Sequence, residues 1–135
     1  MKLLLYPGRY AACRLNPEDE VPPWAMGDLL SITRTPRELS ILCAERSVPL
    51  ELRAELRAEF GFRALELMGP LDFSAIGVLA SLANPLAAAG ISILAISTFD
   101  TDVILVRESD LDGAADALRA EGFEIIEELG TPLQP

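Results

Sequence analysis

The sequence predicts an α+β fold, and three observations predict it. Between residues 62 and 126, alternating runs and amphipathic stretches follow one another in the order β-α-β-β-α-β, punctuated by glycines and polar turns. Residues 10–60 carry a worn copy of the same order. Half of the 135 residues are hydrophobic, which gives both halves apolar surface to bury.

The second half is the more legible. Residues 62–68 (FRALELM) alternate as a strand with one wet and one dry face. GPLD (69–72) reads as a turn, and Asp72 or Ser74 is placed to cap the helix that follows. Val78, Leu79, Leu82 and Leu86 stripe that helix, with Pro85 inside it and Gly90 at its end. Residues 91–98 (ISILAIST) are rich in β-branched side chains and predict a buried strand. FDTD (99–102) is short and polar enough for a tight connection to a further strand at 103–106. SDLD (109–112) resembles a capping box opening a helix to Glu121, and Gly122 stops it before a last strand at 123–126. This is the ferredoxin-like split βαβ order.

In the first half, 10–15 predicts a strand, while residues 16–26, with three prolines, stand where a first helix belongs. Residues 29–33 and 38–43 predict a hairpin. Residues 50–60 predict a helix, because LRAE occurs twice (52–55 and 56–59) and aligns Leu52, Leu56 and Phe60 on one stripe. Its charges read as a solvated face. The chain therefore divides into a degenerate unit at 1–60 and a complete one at 61–135.

Composition narrows the function. The chain holds 21 acidic and 11 basic residues, a formal charge of −10. That balance repels phosphate backbones, so neither nucleic acid nor anionic membrane is expected as a partner. Histidine is absent, which removes the commonest general base and metal ligand. Lys2 is the one lysine, so Schiff-base chemistry has no candidate within the fold. No catalytic residue, cofactor or metal is expected. Cys13 and Cys43 sit singly among apolar neighbours and read as buried thiols of a cytoplasmic protein.

Two targeting patterns are rejected. The apolar start at residues 3–5 is cut short by Pro7 and Arg9, too early for a leader segment, and Ala11-Ala12-Cys13 therefore only imitates a lipoprotein cleavage site. Residues 73–99 hold no charged side chain, but Gly77, Asn84, Pro85 and Gly90 interrupt them. Their flanks are acidic, at Asp72, Asp100 and Asp102.

In a ferredoxin-like unit the loop after the first strand meets the turn between the second and third. Here these are residues 69–77 and 98–102. The first offers a helix N-terminus, suited to a carboxylate, with Gly77 allowing close approach to the backbone. The second offers Asp100 and Asp102 beside Thr98, suited to an ammonium or guanidinium group. Each has a plainer reading as cap, turn or packing residue; convergence of the two loops is what favours a site.

Residues 69–107, GPLDFSAIGVLASLANPLAAAGISILAISTFDTDVILVR, resemble the ACT domain of the aspartokinase-related group. The likeness is to small bacterial tandem-ACT proteins and to the arginine-sensing CASTOR-type proteins of animals. It extends, through ELSILCAE (38–45) and Val48-Pro49, over about residues 10–126. The resemblance implies a ligand-binding ACT fold without catalysis. It assigns ligand contacts to Gly77, Val78, Thr98 and Phe99, with the acidic contact at Asp102; Ser74 and Asp72 complete the candidate set. Acidic residues precede that glycine in the arginine sensors where this chain has Ser74-Ala75, so the resemblance implies amino-acid binding without naming arginine. The expected partners are a free amino acid or similar small molecule, a second copy of the chain in a homodimer, and a regulated partner protein.

Overall fold

The computed structural model describes residues 1–69, 71–72, 74–128 and 131–132. The chain runs β1 (Lys2–Leu5), β2 (Tyr10–Leu15), β3 (Ser31–Arg34), β4 (Leu39–Ala44), β5 (Arg57–Leu67), α1 (Val78–Ala88), β6 (Leu94–Ser97), β7 (Asp102–Arg107), α2 (Leu111–Ala120), β8 (Glu124–Glu128) and β9 (Thr131–Pro132), with 3₁₀ turns at Glu45–Ser47, Leu50–Leu52 and Glu108–Asp110. It forms two compact units, Gly8–Phe62 and, separately, Met1–Pro7 with the residues from Arg63 onward.

In the C-terminal unit the elements follow the expected order, β5-α1-β6-β7-α2-β8. The strands lie in the order β6-β7-β5-β1-β8-β9. β1 is a strand that the sequence pattern does not predict. It lies between β5 and β8, antiparallel to the first and parallel to the second, so that Leu3 faces Leu67 on one side and Ile125 on the other. Leu3 and Leu5 are buried, alternating with exposed Lys2 and half-buried Leu4. Four residues are too few for that period to stand out from an apolar leader.

Against this sheet α1 buries Leu82 and Leu86, and α2 buries Ala114, Ala115 and Leu118. They close one core over Leu65, Leu67, Ile104 and Val106. Pro85 removes one helical N–H, yet α1 continues for three more residues and ends as the Ala89 N–H bonds to the carbonyls of Pro85 and Leu86. The expected capping box does not form: Asp110 stands at the N-cap of α2 without a side-chain bond, and a 3₁₀ turn leads in instead. The run at 91–98 is also not a buried strand. Only Leu94–Ser97 is extended, it pairs with β7 alone, and most of it is exposed. β-Branched composition marks strands well but does not tell a central strand from an edge.

In the N-terminal unit the order is β3-β4-β2-β5, all antiparallel, with Cys13 facing Ile41 on one side and Ala58 on the other. The helix expected at 50–60 is absent. Leu50–Leu52 forms a single 3₁₀ turn, and from Arg57 the chain is the first half of β5. Leu56 and Phe60 do pack on the core, but Leu52 is exposed. Helix propensity in the LRAE repeat is worth tenths of a kcal/mol per residue, which the ladder to β2 outweighs. Arg53 holds the turn: its Nη2 donates to the carbonyls of Glu45 and Val48, and its guanidinium lies 5.1 Å from the Phe60 ring centre. The proline-rich stretch likewise forms no helix among the described residues. It turns at Pro22, whose carbonyl takes the Ala25 N–H, and lays Trp24 and Ala25 on the core. Cys13 and Cys43 are free and buried in that core.

Because β1 fills the centre of its sheet, Leu3→Ala is expected to destabilise the chain by ~2–5 kcal/mol, the usual range for a truncated core leucine. Leu50→Ala, at a position 78% exposed, should cost below about 0.5 kcal/mol. Urea unfolding of the two variants checks both.

Candidate functional site

In the C-terminal unit, two hydrogen bonds clamp the β6–β7 turn to the end of β5. The Thr101 hydroxyl donates to the Leu67 carbonyl at 2.6 Å, and the Leu71 N–H donates to the Asp100 carbonyl at 2.8 Å. Thr101 is the one buried polar side chain among the described residues. The turn is closed from within as well: the Thr98 N–H and hydroxyl both donate to the Thr101 carbonyl, at 2.8 and 3.1 Å, while Thr98 Oγ1 accepts the Thr101 N–H at 3.1 Å. Gly69 permits this closeness. A Cβ there would lie 3.0 Å from the Leu71 nitrogen and 3.1 Å from the Asp100 oxygen, both backbone atoms with no freedom to retreat.

The clamp walls a cavity of about 230 Å³, lined by Leu71, Asp72, Ala75, Val78 and residues 97–102. Of the candidate residues, it gathers Asp72, Val78, Thr98, Phe99 and Asp102. Ser74 and Gly77 are not among the lining. Ser74 is engaged locally, donating from both its backbone N–H and its hydroxyl to Asp72 Oδ1 at 3.0 and 2.9 Å. Those two bonds hold the Asp72 carboxyl below its ordinary range. Neither residue caps α1, as the sequence had suggested. The N-cap is Gly77, at φ 77°, and no side chain caps the N–H groups of the first turn. Gly77 is thus required by a left-handed backbone rather than by close approach, since nothing lies within 4 Å of where its Cβ would be.

Three carboxylates, Asp72, Asp100 and Asp102, line the cavity with no lysine or arginine among its described lining. Val78, the first residue of α1, stands in the wall, so the positive end of the helix adjoins the cavity. Asp102 Oδ1 accepts the Ser97 hydroxyl at 2.6 Å, across a hairpin register that puts the two opposite each other. Phe99 is 80% exposed and lies at the rim. Sequence reasoning missed Leu71, Ala75, Ser97 and Thr101 as lining residues. Ser97 was recoverable from the hairpin, because a four-residue turn fixes its partner as Asp102. Among the described residues no group of three metal-ligating side chains exists, and no helix is long and apolar enough to cross a membrane.

The stretch from β5 to the end of α2 matches a known family model: residues 57–120 fit the ACT domain. Over 98% of its length and 97% of the other chain, the protein is 36% identical to Atu0741 from Agobacterium tumefaciens, with a TM-score of 0.85. The chain belongs to the ACT-domain family. A second model, described as an N-terminal domain, matches residues 8–51 of this ACT protein. Its fold is shared by VC0802 from Vibrio cholerae, described as a protein of unknown function and possible transport protein (24% identity, 89% and 88% of the two chains, TM-score 0.70). It is shared too by the ligand-free regulatory subunit of aspartate kinase from Thermus thermophilus (11% identity, 84% and 92% of the two chains, TM-score 0.56). No curated protein matches the sequence.

Removing the Thr101 hydroxyl leaves the Leu67 carbonyl without its donor. Thr101→Val should therefore cost ~1–3 kcal/mol, and Thr101→Ser should recover most of it. Thermal unfolding of both variants decides whether this bond fixes the turn.

Proposed function

We propose that this ACT protein is a regulatory module without catalytic activity that binds a free amino acid at the cavity between the 71–78 segment and the β6–β7 turn. The observation that carries the reading is the pairing of opposite electrostatics across one small cavity. An uncapped helix start adjoins it on one side, and Asp72, Asp100 and Asp102 supply negative charge on the other. A zwitterion satisfies both: its carboxylate faces the helix N-terminus and its ammonium, or a basic side chain, faces Asp102. Thr98 and Phe99 form the rim that orients it, and Gly77 sets the entry angle of α1. The two halves are read as ferredoxin-like ACT units, the first having exchanged its helices for turns, within a cytoplasmic protein that signals to a regulated partner.

A thermal-shift series over the twenty amino acids tests this directly. A ligand at ~100 times its dissociation constant adds ~2.7 kcal/mol. Asp102→Asn should then weaken the responding amino acid by more than ~30-fold, because a desolvated charge left unpaired costs ~2–5 kcal/mol. Its folding should stay nearly intact. No response to any amino acid, or equal affinities in wild type and variant, would remove Asp102 and this reading of the cavity.

A second reading, a protein–protein assembly module without a ligand, draws support from the surface beside the cavity. Ile76 is 97% exposed and Phe99 80%, and the edge strand β6 carries no charged side chain to discourage pairing. On either reading the protein is expected to self-associate as a homodimer. Sedimentation at high micromolar concentration checks this, and a strict monomer would count against both the exposed patch and the edge as contact surfaces.

A further inference from the structure

A second cavity, of about 330 Å³, lies within the N-terminal unit and shares no residue with the first. Strand alternation turns Ala11, Cys13 and Ile41 into the core. Ala12, Arg14 and Ser40, between them in sequence, belong to the opposite face of the sheet. Register then sets Arg14 between Ser40 on β4 and Arg57 on β5. Two guanidinium groups directly across a strand pair repel each other. Neither forms an ion pair among the described residues; Arg14 Nη2 donates to the Arg37 carbonyl at 2.9 Å, and Arg57 is exposed. In a chain where acids outnumber bases by 21 to 11, two adjacent cations without a carboxylate partner call for an anion from outside.

Both arginines line the cavity, over a floor of Ala12 and Ser40, with Glu38 and Glu59 in its walls. The mixed lining restricts what fits. A phosphate would meet two carboxylates, whereas a single carboxylate matches the planar forks of the arginines. Glu38 then suits a positive group carried by the same molecule. We propose that this cavity is a second small-molecule site that takes a zwitterion, its carboxylate held by Arg14 and Arg57 and its ammonium facing Glu38. The volume is that of a small-ligand pocket, and the Ser40 hydroxyl stands beside Arg14 as a further donor.

The test is an NMR titration of the full-length ¹⁵N-labelled chain with glycine, acetate and inorganic phosphate in turn. The arginine Nε–H signals of Arg14 and Arg57 report this site, and the backbone amides of Thr98 and Asp102 report the other. Glycine should shift the arginine signals saturably, and phosphate should bind there no more tightly than glycine. Arg57→Gln and Arg14→Gln should each weaken glycine by about tenfold, the loss of one charge-assisted contact. Glu38→Gln should weaken glycine but leave acetate unchanged. Asp102→Asn should leave the arginine response intact, so failure of the hairpin-turn site and failure of this one are told apart. Arginine signals unmoved by glycine, tighter binding of phosphate, or unchanged affinity in both arginine variants would overturn the proposal.

Discussion

The buried hydroxyl of Thr101 is the constraint on which the architecture of the first cavity rests. Its bond to the Leu67 carbonyl, with the Leu71–Asp100 bond beside it, fixes the β6–β7 turn against the end of β5. A polar group at that depth has no water to fall back on, so the unbonded arrangement is disfavoured by the full cost of desolvation. Three features follow from this contact. Gly69 must lack a side chain; the turn must close tightly through Thr98; and the carboxylates of Asp100 and Asp102 are carried on a braced backbone. A cavity walled by pinned main chain changes shape less than one walled by rotamers.

Much of the C-terminal unit was legible because its punctuation is local. Gly90 at φ 73° and Gly122 at φ 94° end the two helices where the sequence placed the ends, and the turn at 98–101 is closed by hydrogen bonds between its own first and last residues. What escaped was decided by distant partners. Residues 2–5 carry no strand signal beyond an apolar run; their place is set by Leu67 and Ile125, more than sixty and one hundred and twenty positions away. Residues 57–60 look helical by composition, yet Ala58 and Phe60 are claimed by the β2 edge and the core. Propensity is a weak prior when a sheet edge waits to be paired.

The candidate site divides along the same line. Thr98 and Asp102 could be placed beside the cavity because the turn that carries them is local in sequence, whereas Val78 and Phe99 were candidates only through the ACT resemblance; all four line the cavity. Ser74 was misread as a cap: serine and aspartate two positions apart satisfy each other, leaving the helix start bare. A side-chain cap on α1 would have occupied the donors that the proposed carboxylate requires. The Asp72–Ser74 bonds instead hold the Asp72 carboxyl at the cavity wall and lower its pKa from the ordinary value.

The N-terminal unit shows how a sheet keeps one covered face without α-helices. Trp24, Ala25 and Val48 supply the apolar layer that helices would otherwise provide, and Arg53 supplies the donors that hold the covering turns in place. Turns cover less area than helices of the same length, so this core draws on small strand residues, Ala11, Cys13 and Cys43, that need little overlay. The same economy fixes the opposite face. With alanine at 12 and serine at 40 the sheet surface there is low, and the long side chains at its borders stand as walls around it. That Arg14 and Arg57 share the same rung, and that neither arginine forms an ion pair among the described residues, is a charge arrangement that packing does not explain.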